Sequence, residues 1–243
     1  MLCILLYALQ RKFIYFPQGV AHDAPLSRAK GIRLSLDHIE LTGWLVNPGH
    51  SQALIYYGGN GENIEYNIDF FRQNLPQTSV YLIPYRGYGE NPGYPTEFHL
   101  YQDALDVFDH VAVKYEAVVL MGRSLGSAVA LHVAAKRDIT KLILVTPFDS
   151  VENIAKDIYW MFPISWLLKD KFSATVNLQN VSAPVLALVA GQDRVIPTPR
   201  SAGLLRVAPE HNLKTIVIAE AGHNDISFFN EYAVAISRFI NGK

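Results

Sequence analysis

Residues 118–126 read Val118-Val119-Leu120-Met121-Gly122-Arg123-Ser124-Leu125-Gly126, an apolar run that breaks into a Gly-x-Ser-x-Gly pattern. The run has the length and composition of a buried strand, and helix-period sequence follows from residue 125 to residue 137. A strand that turns so sharply into a helix needs glycine on both sides, because side chains there would collide with neighbouring backbone. Such a turn holds its serine at the tip, at the start of the helix.

Outward from this stretch the same kind of apolar run recurs at 53–57, 80–84, 142–145, 185–189 and 215–218. Helix-length segments lie between them, at 63–73, 98–115, 125–137, 200–208 and 228–241. Short apolar strands alternating with helices predict a parallel sheet covered on both faces. Before residue 53 the reading differs: 13–16, 32–36 and 41–46 are expected to form strands of a meander that ends at the turn Asn47-Pro48-Gly49. Right-handed crossovers bring the carboxyl ends of the parallel strands to one edge, where open α/β sheets bind ligands.

The chain has 243 residues, half of them hydrophobic, and a formal charge of -1. This suits one domain over 13–243, preceded by an apolar segment, 1–12. No run of like charge points to nucleic acid. Cys3 is the only cysteine, so an internal disulfide is excluded and a reducing, cytoplasmic location is compatible. Residues 1–9 are almost wholly apolar, yet as a helix they reach roughly 14 Å, about half of a bilayer core. They are expected to form a first helix packed on the domain or a contact with a membrane surface. The basic residues Arg11 and Lys12 follow the apolar run rather than precede it, unlike a signal peptide.

Three strand ends carry chemistry. Ser124 at the elbow is the candidate nucleophile, and Leu125, opening the helix, offers its backbone N–H to a developing oxyanion. After the 185–189 strand comes Gly191-Gln192-Asp193, and after 215–218 comes Ala221-Gly222-His223. His223 suits a general base, and Asp193 suits the acid that orients it. Asp149, past the 142–145 strand, is the substitute acid should Asp193 lie too far away. The Gly-rich turn over 58–63 follows an earlier strand and supplies Asn60 as the second oxyanion donor. It lacks the Lys-Ser/Thr ending of a phosphate loop, so no cofactor is expected. The other histidines, His211 among them, form no metal-ligand spacing, and no metal is expected. Between 146 and 184, Phe148, Trp160, Phe162 and Trp166 are candidates to line a substrate pocket. An apolar helix face packed on the sheet is the alternative.

These landmarks resemble the α/β-hydrolase superfamily, in particular its compact, nearly lidless serine hydrolases, the depalmitoylase-like (abhydrolase-domain) group and its bacterial relatives. The resemblance rests on Phe13-Ile14-Tyr15-Phe16-Pro17, the 58–63 turn, Tyr85-Arg86-Gly87-Tyr88-Gly89, the elbow, Pro147-Phe148-Asp149-Ser150, and the Asp193 and His223 loops. It implies a mostly parallel twisted sheet of about eight strands flanked by helices, with a small cap insertion. It also implies catalysis by Ser124, Asp193 and His223, with Asn60 and Leu125 forming the oxyanion hole. Expected substrates are small or acylated esters and thioesters cleaved through an acyl-enzyme. A peptidase or amidase of the same fold and a non-catalytic membrane-associated scaffold are the alternatives. One departure stands out: members of the group usually begin the oxyanion loop with His-Gly-Asn, and here Gly58 occupies the histidine position.

Overall fold

The apolar runs become neighbouring strands in the computed structural model, which describes residues 2–209 and 212–242. Met1, Glu210, His211 and Lys243 lie outside the described residues, and with them the expectation for His211. The strands are β1 Lys30–Ser35, β2 Glu40–Val46, β3 Gln52–Tyr57, β4 Ser79–Leu82, β5 Ala117–Arg123, β6 Lys141–Val145, β7 Val185–Ala190 and β8 Leu213–Ile218. They form one eight-stranded sheet in the order β1-β2-β4-β3-β5-β6-β7-β8. The β1–β2 and β2–β4 pairs are antiparallel, and every other pair is parallel, as expected.

The helices are α1 Leu2–Ile14, α2 Ile68–Asn74, α3 Glu97–Ala112, α4 Leu125–Ala134, α5 Val151–Ile158, α6 Ile164–Leu167, α7 Ala174–Leu178, α8 Thr198–Leu205 and α9 Asn230–Asn241. Alternation along each strand divides the core in two. In β3, Ala53, Ile55 and Tyr57 face a core shared with α3 and α4, while Leu54 and Tyr56 face one shared with α2 and α9. Helix α4 is buried along nearly its whole length. Its small residues let it lie close against the sheet, which pins the elbow before it.

Two expectations are corrected. Residues 13–16 form no strand: α1 runs through Ile14. The apolar sequence from Leu2 onward holds no glycine or proline before Pro17, so the helix continues until Tyr15, whose N–H still bonds back to Arg11. The 63–73 segment opens as a 3-10 turn, Ile64–Asn67, before α2 begins. The small cap is present as α5, α6 and α7 between β6 and β7. No helix among the described residues is long and apolar enough to cross a membrane.

Candidate active site

The strand register brings the site together. Tyr57 at the end of β3 pairs with Gly122, and Arg123 at the end of β5 pairs with Val145, so the 58–63 turn and the elbow share one sheet edge. Ser124 caps α4 with φ 49° and ψ -118°, a strained conformation for a residue with a side chain. Its N–H donates to Val145 O at 2.9 Å, which helps hold the turn. A side chain at Gly122 would strike the Gly126 carbonyl, and one at Gly126 would strike that of Tyr57. The spacing of the pattern is therefore a packing requirement.

His223, on the turn after β8, places Nε2 at 2.9 Å from Ser124 Oγ. Its Nδ1 lies 2.7 Å from Asp193 Oδ2. The other Asp193 oxygen accepts the N–H groups of Val195 and Ile196 at 2.8 and 2.7 Å. Burial works to raise the Asp193 carboxyl, but His223 and those two N–H donors prevail and hold it below the ordinary carboxylate value. An ionised carboxylate only accepts, so Nδ1 carries the proton and Nε2 is left to accept from the Ser124 hydroxyl. Asp149 is engaged elsewhere, accepting from Asn153 Nδ2 at 2.9 Å and Arg200 at 3.0 Å.

Asn60 and Leu125 both line the cavity above Ser124. Leu125 is the first residue of α4, where N–H groups have no intrahelical partner. The Asn60 side chain is occupied: Nδ2 donates to Ile14 O, and Oδ1 accepts Phe16 N–H at 3.0 Å and Tyr88 Oη–H at 2.8 Å. Only its backbone N–H is left for a ligand. Tyr85 Oη donates to Gly58 O at 2.9 Å, so two tyrosines of the 85–89 landmark brace this turn. Arg86 turns away and forks onto buried Asp103. A side chain at Gly58 would run into the Ile64 side chain.

An ion pair that no sequence motif marks also lines the cavity. Glu62 accepts from Tyr56 Oη at 2.8 Å, from Gly59 N–H, and from Arg123 Nη1 at 3.3 Å. Arg123 Nη2 in turn donates to His223 O at 3.2 Å. The pair thus links the 58–63 turn, the elbow and the histidine loop. Burial pulls the guanidinium pKa down, but Glu62 more than offsets it and raises it. The one signal available was a cation at the end of a buried strand, which must find a partner.

The cavity measures about 680 Å³ and is walled mainly by apolar side chains, among them Phe148, Ile154, Ile158, Ile164 and Leu167. Of the four residues expected to line it, only Phe148 does. Trp160 and Trp166 are 77% and 89% exposed on the cap, and Phe162 also lies outside the lining. Trp160 and Phe162 lie in the turn between α5 and α6, and Trp166 sits on the outer side of α6, whose Ile164 and Leu167 face the cavity.

A family model described as the alpha/beta hydrolase family matches residues 48–175. YfhR of Salmonella typhimurium is 31% identical over 98% of this chain and 91% of its own. An uncharacterized membrane protein of Saccharomyces cerevisiae is 29% identical over 97% of this chain and 90% of its own. Among solved structures, an esterase of Pyrococcus furiosus superposes with a TM-score of 0.73 at 18% identity, covering 94% of this chain and 98% of the esterase.

Proposed function

Because the chain belongs to the α/β-hydrolase family, we propose that it is a serine hydrolase cleaving carboxylic esters or thioesters through an acyl-enzyme. The observation that carries this reading is the Ser124–His223–Asp193 relay, with steps of 2.9 and 2.7 Å, on the floor of an apolar cavity. Ser124 Oγ attacks the acyl carbonyl carbon as His223 Nε2 takes the hydroxyl proton. The backbone N–H groups of Leu125 and Asn60 receive the charge on the carbonyl oxygen, and the α4 dipole adds to them. The C–O or C–S bond then breaks, and the leaving group takes the proton from Nε2. Water, deprotonated by His223, attacks the acyl-serine, releasing the carboxylic acid and restoring Ser124. The esterase named among the structural neighbours favours ester chemistry over amide cleavage.

Turnover of p-nitrophenyl esters from acetate to palmitate, with fluorophosphonate labelling, tests the reading. Ser124→Ala is expected to lose labelling and to lower kcat by about 10⁴-fold or more. A wild type that neither labels nor turns over any ester sinks it.

We further propose a peripheral membrane contact on the cytoplasmic side, carried by the exposed Trp160, Met161 and Trp166 of the cap together with Leu5 and Tyr7 of the 1–9 segment. Exposed tryptophans suit the bilayer interface, and the yeast relative is named as a membrane protein. The double variant Trp160→Ala, Trp166→Ala is expected to co-sediment with anionic vesicles several-fold less than wild type; equal binding refutes the contact.

A further inference from the structure

Helix α1 contributes side chains to the cavity that holds Ser124 and His223. Leu6, Gln10, Phe13 and Ile14 all line it, and their spacing puts them on one helix face. Leu5, Ala8 and Lys12 lie on the exposed face. The helix is fastened to residues 167–170, of which Leu167 and Leu168 also line the cavity. Buried Gln10 donates through Nε2 to Leu167 O at 3.0 Å, and its Oε1 accepts Lys169 N–H at 2.7 Å. Arg11 forks onto Asp170 at 2.9 and 3.3 Å. At its carboxyl end the helix holds the oxyanion turn, through the Asn60 bonds to Ile14 O and Phe16 N. A segment serving only as a lipid anchor would need neither the inward apolar face nor these bonds.

We propose that α1 is the specificity-determining wall of an acyl pocket, with Leu6 and Phe13 setting the length of straight acyl chain accepted beside Ser124. This rests on the ester reading above and deepens it by naming the substrate class as straight-chain acyl esters or thioesters. Phe13 is 56% exposed, so its truncation opens the mouth without emptying a core. A larger side chain at position 6 shortens the cavity.

The test uses the full chain and two readouts. The first is the ratio of kcat/KM for p-nitrophenyl laurate over butyrate in wild type, Leu6→Trp, Phe13→Ala and the surface control Leu5→Ala. The second is binding of fatty acids of eight to sixteen carbons to the same chains carrying Ser124→Ala, read by displacement of a fluorescent fatty acid. Leu6→Trp is expected to lower the ratio about tenfold and Phe13→Ala to raise it, in line with what one or two methylenes are worth in a fitted pocket. Leu5→Ala should match wild type, and binding should follow the same order. Should no ester be turned over, the ester reading fails while the binding series still decides the wall: a shift between variants supports it. Unchanged binding across the variants, or no fatty-acid binding at all, overturns it, as does an unchanged laurate-to-butyrate ratio in an active enzyme.

Discussion

Glu62 and Arg123 lie 61 residues apart, yet their side chains meet beneath the elbow, each less than 15% exposed. Removing one partner leaves the other buried without its counter-charge, so Glu62→Gln is expected to cost roughly 3–5 kcal/mol in urea unfolding. Adding Arg123→Gln should cost much less than the sum of the two single changes; strict additivity would show that the pair does not act as a unit. A second prediction concerns Asp193. Asn in its place keeps the shape but holds the wrong His223 tautomer, so kcat should fall by about 10⁴-fold while the thermal midpoint changes little. Near-normal turnover in Asp193→Asn would remove Asp193 from the relay. Ser124, Asp193 and His223 were legible because each follows an apolar strand in a glycine-bearing turn. The Glu62–Arg123 pair was not, since nothing in Gly-x-Ser-x-Gly specifies the second residue.

At the scale of elements, α4 carries a titrating group that makes the fold sensitive to acid. His132 stacks on Tyr101 of α3 with ring centroids 3.8 Å apart. Burial, and then nearby Lys136, push its pKa down to about 4 from an ordinary 6.5. The unfolded chain therefore binds this proton first as pH falls. The contribution is fully present above pH 6.5 and is lost progressively down to about pH 4. His132→Phe, which keeps a ring on Tyr101, should flatten the decline in unfolding free energy across that window. An unchanged slope would rule His132 out as its source. Helix α1 shows the opposite kind of element. Its apolar sequence is equally consistent with a strand at 13–16, a membrane contact or a packed helix. Tertiary bonds from Gln10 and Arg11 to residues 167–170 decide for a packed helix over a strand, and leave the exposed face of Leu5 and Tyr7 open to a membrane.

Across the whole molecule, two cores sandwich one sheet, and α2 and α9 close the face away from α4. Phe71 of α2 is fully buried there, edge-on to Tyr56 at 5.4 Å. Phe71→Ala should cost about 3–5 kcal/mol and lower the thermal midpoint, and a change under about 1 kcal/mol would mean that α2 is not part of the cooperative unit. The sequence by itself determined the parallel sheet, the elbow and the order Ser124, Asp193, His223. Those signals are local: strand periodicity, glycines where backbone must come close, and polar residues just past strand ends. Only the tertiary structure decided that Trp160 and Trp166 face solvent, that the Asn60 side chain ties down the first helix, and that Leu6 and Phe13 wall the cavity. Each of these depends on which face a short or apolar element turns inward. An all-apolar sequence does not encode that choice; the neighbours it packs against make it.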